Sequence, residues 1–289
     1  MYLYGCTNNE QYLSIFHGTI FRDRYHLEGH LALSNEDRST FTVAGVCKVC
    51  SKAVDFLVDH RFGTKIQEGV RHPNWRERQV CPSCQLNSRQ RAAVAFVLDF
   101  CGRRSATGVK VYAMEQVTPV YKECNRRLPA GSLVGSEYLG PGTVGGNVVK
   151  GIRHEDAENL SFEENEFDLV VSNDVLEHVS DHRRCLEEVF RVLRPGGELF
   201  LTTPFSNERA RNHRRAELRN GSLTMLEPPQ YHGNPLSKEG SLVFVDFGWE
   251  LLEDLRQAQF DDVTLIIFWS YQYGHLGIPQ EFFHARKRT

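Results

Sequence analysis

Apolar positions change character part-way along the chain. Between residues 40 and 103 they fall in short runs, "FTVAGV" and "AVDFLVDH", around the tight turn "CKVC", which predicts a hairpin with cysteines at its turn. "WRERQV" then predicts a short strand, "CPSC" follows it, and "SRQRAAVAFVLDF" predicts a helix with Ala, Val and Phe on one side. Residues 1–38 are too weakly patterned to assign. From Gly108 onward strands alternate with helices. "VKVYAM" predicts a strand, "TPVYKECNRRL" a helix with Thr118 as N-cap and Pro119 at its first position, and "SLVGSEYL" a second strand. After the glycine-rich loop "GPGTVGGN" come a short strand near residues 148–152 and the mostly apolar run 167–171, "FDLVV", which suits a strand covered on both faces in a parallel sheet. "DHRRCLEEVFRVLRPGG" predicts a helix stopped by Pro195 and Gly196. "ELFLTTPF" is a further strand, "GWELLEDLRQAQF" a helix, and "DVTLIIFW" and "QEFFHARKR" the last strands. This alternation predicts a doubly wound α/β sheet.

In such sheets ligands bind at the carboxyl ends of the strands, so polar residues there are the first candidates for chemistry. Glu115 ends the first strand, and Glu137 follows 22 residues later at the end of the second, where a carboxylate can accept both hydroxyls of a ribose. Asp156 lies 19 residues further on, past the third strand, and the run "FDLVVSNDVLEHV" places Asn173 at the end of the fourth. Any one of these would ordinarily be a solvated surface group. Four at successive strand ends point to a cofactor.

The stretch "HEDAENLSFEENEFDLVVSNDVLEHVSDHRRCLEEVFRVLRPGGELFLTTPF" resembles the central half of a class I S-adenosylmethionine-dependent methyltransferase, in which an adenine-contacting Asp, an "LEHV" turn and an "LRPGG" strand entry recur in this order. The resemblance covers roughly residues 105–289. It implies a seven-stranded, Rossmann-like methyltransferase sheet over residues 91–289 and S-adenosylmethionine as cofactor. It also implies that Glu137 holds the ribose, Asp156 with Ala157 the adenine, and Asn173 the methionine end, while Glu177 and His178 of the "LEHV" turn are structural. The first turn, "YAMEQVTPVY", departs from the family by having no glycine, so Cβ atoms occupy the approach to the cofactor. The helix starting at Thr118 is then expected to offer amide donors to the methionine carboxylate, with Glu115 or Gln116 reaching its amine.

Cys47 with Cys50 and Cys81 with Cys84 form two CxxC pairs 30 residues apart, a spacing that predicts a closed four-thiolate zinc site of structural role within residues 1–90. The arrangement resembles a treble-clef or zinc-ribbon module. Cys6, Cys101, Cys124 and Cys185 lack such spacing and are expected to be buried thiols. Between "ELFLTTPF" and "GWELLEDL" about forty residues show little regular pattern, and a loop of that length predicts a lid, at about residues 205–245. Tyr231 and His232 are its candidate catalytic residues, with His232 as the base that takes a proton from the acceptor. The run Arg209, Arg211, Arg214, Arg215 and Arg219 reads first as a solvated face.

Composition narrows the partners. With 34 basic and 37 acidic residues the net charge is -3, which argues against nucleic acid as a general partner. No apolar run is long enough to span a bilayer and the start of the chain lacks the pattern of a secretory signal, so a cytoplasmic, membrane-free location is expected. The reading is a methyltransferase acting on an oxygen or nitrogen nucleophile of a small molecule or sugar-type metabolite, with oligomeric state left open. Its rivals are an RNA methyltransferase gripping nucleic acid through the zinc module, and a non-catalytic domain that keeps the fold without the cofactor.

Overall fold

The protein is described here by a computed structural model covering residues 2–65, 70–104, 108–219 and 221–289. The chain divides into two compact units, one of residues 1–104 with 266–281, the other of 105–265 with 282–289. Sequence placed the division at residue 90. That position lies inside the continuous helix Ser88–Arg103, whose start is fixed by a capping box between Asn87 and Gln90, so the helix stays whole and the units part after it.

In the second unit the centre of the sheet is parallel. The strand Phe167–Asn173, buried except at the half-buried Asp168 and Asn173, lies between Val111–Ala113 and Leu193–Thr202, both parallel to it, with Val171 opposite Ala113 and Asn173 opposite Thr202. Leu133–Gly135 extends the sheet beyond Val111–Ala113, again in parallel. On the other side the strand His275–Lys287 pairs antiparallel with Leu193–Thr202 through residues 283–286, and Phe260–Ser270 follows it. The seventh position in the sheet order is taken not by the strand expected near 148–152 but by Tyr2–Cys6, from residues left unassigned in the sequence, which stands next to Phe260–Ser270. The short strand expected near residues 148–152 is instead a small hairpin, Val148–Val149 against Ile152–Arg153, and the next residue, His154, forms a parallel bridge with Glu137.

The helix His182–Val192 forms because Asp181 accepts from the amides of Arg183 and Arg184 at its start, and because Cys185, Leu186, Val189 and Val192 share one buried face. It ends at Val192, not at Pro195. Leu193 is already extended, and Pro195 and Gly196 sit inside the next strand, where the pairing register shifts between Phe167 and Leu169. The expected lid is also more regular than its sequence suggested. Ala216–Arg219 pairs with Ser222–Met225, and Tyr231–Asn234 pairs with Ser237–Leu242. The first hairpin does alternate apolar with polar positions, pairing Ala216 with Met225 and Leu218 with Leu223, a strand signal that the loop reading passed over.

In the first unit the predicted hairpin is Thr40–Cys47 against Lys52–Asp59, in register from Thr40 and Asp59 to Cys47 and Lys52. "WRERQV" is a helical turn, Trp75–Arg78, followed by a two-residue strand, because the Asn74 side chain accepts from the Glu77 amide and starts a helix. The unassigned N-terminal residues contain two helices, Asn9–Phe16 and Thr19–Leu33. The second has almost no apolar stripe, since it buries the ion pair Arg24–Glu28. Glu28 accepts from Trp269 Nε1 at 2.8 Å and from the Gly277 amide at 2.7 Å, which fastens this helix to residues 266–281.

Asp254 anchors the helix Glu250–Gln257. It is buried and accepts from His182 Nε2 at 3.0 Å, Arg183 Nε at 2.8 Å and Asn212 Nδ2 at 2.6 Å. Burial pushes its carboxyl up, but the hydrogen bond from His182 and the charges of His182 and Arg183 outweigh that and hold it below the usual carboxylate range. Its contribution is therefore present above the ordinary aspartate pKa and is lost as pH falls through the depressed folded value. Asp254→Asn is expected to cost about 2–4 kcal/mol in urea unfolding at pH 7, with the gap from wild type closing below about pH 4. An equal gap at pH 7 and pH 3 would show that the charge of Asp254 contributes nothing.

Candidate functional site

At the carboxyl ends of the parallel strands the predicted residues meet, and most of them bond to one another. Glu115, buried at the end of the first strand, accepts from Asn173 Nδ2 at 2.6 Å and from the hydroxyl of Thr118. Glu137 Oε1 accepts from the amides of Gln116 at 2.7 Å and Val117 at 3.0 Å, the same first-loop amides that could face a carboxylate ligand. Gln116 is held on both sides of its amide: Nε2 donates to Gly151 O at 2.9 Å and Oε1 accepts from Arg153 N at 2.8 Å. Asp156 accepts from the Glu158 amide at 3.0 Å, which fixes the short turn containing Ala157. Glu115, Gln116, Glu137 and Asn173 thus form one hydrogen-bonded line, with Asp156 and Ala157 on the following turn.

The glycine absent from the first turn has a counterpart in the neighbouring strand. A Cβ on Gly135 would overlap the ring of Tyr121 and lie 2.6 Å from the carbonyl oxygen of Glu115. Close approach of the first loop is therefore obtained at Gly135, and the helix Pro119–Arg127 presses Tyr121 against it. The first turn itself remains without glycine, as the sequence shows. The signal available was the "VGSE" at the end of the second strand, one glycine placed two residues before the acid.

Past Asn173 the chain turns sharply. Asp174 adopts a left-handed backbone with φ 51°, sparsely populated for a residue with a Cβ. The turn carries Leu176–His178 back under the sheet end, and Glu177 becomes fully buried. Glu177 Oε2 accepts from Thr203 Oγ1 at 2.9 Å. Its carbonyl accepts from the Phe244 amide at 2.7 Å, and His178 Nδ1 lies 2.8 Å from the carbonyl of Leu242. Those two bonds fasten the hairpin that carries Tyr231 and His232 to the turn. His232 Nδ1 stands 3.5 Å from Glu177 Oε1, and His178 Nε2 stands 3.6 Å from the same oxygen. The carboxylate of Glu177, with Asp174 and Asp246 nearby, raises the pKa of His232. Tyr231 is exposed on the same strand. His213, another histidine of this segment, faces Glu227 at 3.2 Å instead. Glu177 and His178, read from sequence as structural, are thus brought to His232. The basic run is tied within the unit: Arg214 donates to Ser180 O, Arg215 pairs with Asp246, and Arg219 pairs with Glu217.

In the first unit the four cysteines come together as their spacing predicts. Cys47 and Cys84 sulfurs are 3.9 Å apart, as are those of Cys50 and Cys81, and all four lie within 4.8 Å of one another. The edge of a tetrahedron built on bonds of about 2.3 Å is about 3.8 Å, so the cluster has the size of a four-thiolate zinc site. Arg91, fully buried, points its guanidinium over the ring of Phe56 and donates to the carbonyls of Gln79 and Leu86. Burial draws it down to about 10, and the four cysteines oppose that shift. A cation fixed this close offsets the negative charge that four thiolates bring to a divalent ion.

Residues 103–201 match a family described as a methyltransferase domain. The matched segment contains Glu115, Gln116, Glu137, Asp156, Ala157, Asn173 and the Glu177–His178 turn. Among curated relatives, a glycine/sarcosine/dimethylglycine N-methyltransferase of Actinopolyspora halophila is 32% identical over 84 residues, 29% of this chain and 15% of that protein. A sterol 24-C-methyltransferase of Aspergillus fumigatus is 29% identical over 147 residues, 46% of this chain and 36% of that one. The chain thus spans well under half the length of these relatives. A solved S-adenosylmethionine-dependent methyltransferase from Mesorhizobium loti is similar at 19% identity and a TM-score of 0.41, covering 68% of this chain and 98% of that one. Among the described residues, no helix is long and apolar enough to cross a membrane.

Gly135 lets the first loop come close enough for its amides to reach Glu137. Gly135→Ala is expected to lower stability by about 1–3 kcal/mol in urea unfolding, as overpacking does. Gly142→Ala, where an added Cβ meets nothing within 4 Å, should stay within about 0.5 kcal/mol of wild type. Equal behaviour of the two variants would remove the close approach from the account.

Proposed function

We propose that this chain is an S-adenosylmethionine-dependent methyltransferase that moves a methyl group to an oxygen or nitrogen nucleophile of a small-molecule or sugar-type metabolite. The observation that carries the reading is the line of Glu115, Glu137 and Asn173 at the carboxyl ends of adjacent parallel strands, inside the segment that matches the methyltransferase domain. In this reading Glu137 holds the ribose, Asp156 and Ala157 meet the adenine, and Glu115, Gln116 and Asn173 line the methionine end. Residues 205–245 form a lid that brings Tyr231 and His232 to the acceptor side. The transfer is an in-line displacement at a sulfonium methyl, for which alignment is the main contribution of the protein. The named relatives support a small acceptor, since one acts on glycine and its methylated forms and the other on a sterol. A net charge of -3 speaks against RNA. A cytoplasmic location belongs to the same reading, supported by cysteines grouped as a ligand set.

One observation favours the non-catalytic alternative: Glu115 and Glu137 already accept hydrogen bonds from the loop and strand that would face the cofactor. Calorimetry with S-adenosylhomocysteine separates the two. Binding is expected in wild type, with Glu137→Ala weaker by about 1.5–3 kcal/mol, or about 10- to 150-fold in Kd. A wild type that does not bind the product would leave a methyltransferase-like scaffold.

The cysteine cluster completes the proposal as a structural zinc site. One zinc per chain is expected at Cys47, Cys50, Cys81 and Cys84, and Cys81→Ser should lose that ion and lower the melting temperature. Elemental analysis showing equal zinc in wild type and Cys81→Ser would rule the site out.

A further inference from the structure

Glu177 is fully buried, and its Oε1 has no hydrogen-bond partner. An uncompensated carboxylate oxygen at that depth is costly enough to demand a cation. The two groups facing it are imidazole nitrogens, His178 Nε2 at 3.6 Å and His232 Nδ1 at 3.5 Å, both too far for strong hydrogen bonds. His178 Nδ1, 2.8 Å from the carbonyl of Leu242, has to be the protonated nitrogen, because a carbonyl oxygen can only accept. In the neutral ring that leaves a lone pair on Nε2 pointing towards a carboxylate oxygen. A carboxylate oxygen and that lone pair are held face to face by the fold, an arrangement relieved by positive charge there, either a proton on an imidazole or a metal ion taken by all three groups.

We propose that Glu177 Oε1, His178 Nε2 and His232 Nδ1 form a three-donor site for a divalent transition-metal ion, whose open position takes a hydroxyl oxygen of the methyl acceptor. The size fits. Two donors each about 2.1 Å from an ion stand about 3.4 Å apart at the tetrahedral angle, and all three donors here lie within 4.8 Å of one another. The chemistry of the set also fits, since two imidazoles and one carboxylate with a vacant position select zinc-class ions and leave room for a ligand. The Leu242 carbonyl fixes the tautomer of His178, and Thr203 holds the second oxygen of Glu177, so both donors are oriented from behind. For His232, the neighbouring Gln230 amide, 3.2 Å from Nε2 and exposed, needs only to turn its oxygen towards that nitrogen to leave Nδ1 for the ion.

The position gives the ion a task. It lies directly after Asn173 and Asp174, at the strand end where the methyl donor is proposed to sit, and on the inner side of the hairpin carrying Tyr231. A hydroxyl bound there would be made acidic and held in line with the sulfonium. Its proton leaves to solvent, its oxygen forms the new bond to the methyl carbon, and the electron pair of the broken carbon–sulfur bond stays on sulfur as a neutral thioether. His232 then acts as a ligand rather than as the base expected from sequence. The acceptor role rests on the methyltransferase reading; ion binding does not.

The test uses the full chain with the cysteine cluster loaded with zinc, titrated with Co2+ alone and read by visible absorption and by cobalt-to-chain ratio. One Co2+ per chain beyond the cysteine-bound zinc is expected, with a tetrahedral nitrogen–oxygen spectrum. His232→Ala, a change on a surface hairpin, should weaken it at least tenfold while the zinc content and circular dichroism stay unchanged. Glu177→Gln should do the same if it folds, and the histidine variant decides if it does not. Absence of a second ion, or equal cobalt affinity in wild type and His232→Ala, would overturn the proposal. If cobalt binds but S-adenosylhomocysteine does not, the metal site stands and the methyltransferase reading fails; product binding without a second ion reverses that outcome.

Discussion

A central strand whose apolar residues are buried has to leave the sheet somewhere, and at that point its polar neighbours must be satisfied inside the protein. The strand Phe167–Asn173 meets this constraint within a few residues. Asn173 turns its amide to Glu115, Asp174 takes a left-handed backbone, and Glu177 is driven fully inside. The rest of the candidate site follows from those positions. Glu115 can hold Thr118 because Asn173 lies opposite, and the lid hairpin is fixed because the Glu177 carbonyl and the His178 ring reach Phe244 and Leu242.

The two ends of the site differ in how their charge is balanced. On the side assigned to the cofactor, carboxylates meet amides and hydroxyls, so each negative group is satisfied by neutral donors and the site is stable without a ligand. At the turn beyond Asn173, a buried carboxylate meets two imidazoles with one oxygen unpaired. Buried polar groups are nearly always bonded, so an exception held in place by its neighbours points to something that binds there.

The first unit shows the same economy with a different chemistry. Its hairpin and the start of the helix Ser88–Arg103 bring four sulfurs to tetrahedral separation, and Arg91 supplies a buried positive charge beside them. A second buried ion pair, Arg24–Glu28, ties the N-terminal helix to Trp269 and Gly277. Neither arrangement relies on a large apolar stripe, which is why the helices of residues 9–33 left so faint a trace in the pattern.

What the chain determined by itself was whatever depends on local spacing. The apolar run 167–171 had to be a central strand, Thr118 and Pro119 had to open a helix, and two CxxC pairs on turns had to offer four sulfurs together, because each is dictated by neighbours a few residues apart. The acids at the strand ends were legible for the same reason, since strand and helix lengths are nearly constant. Only the tertiary structure decided which of those acids face one another and that Gly135 on the second strand makes room for the first loop. It alone brought His232 to Glu177 and His178, across 54 residues of chain. That meeting depends on hydrogen bonds from a hairpin backbone to a buried turn, and backbone bonds leave no signature in side-chain pattern.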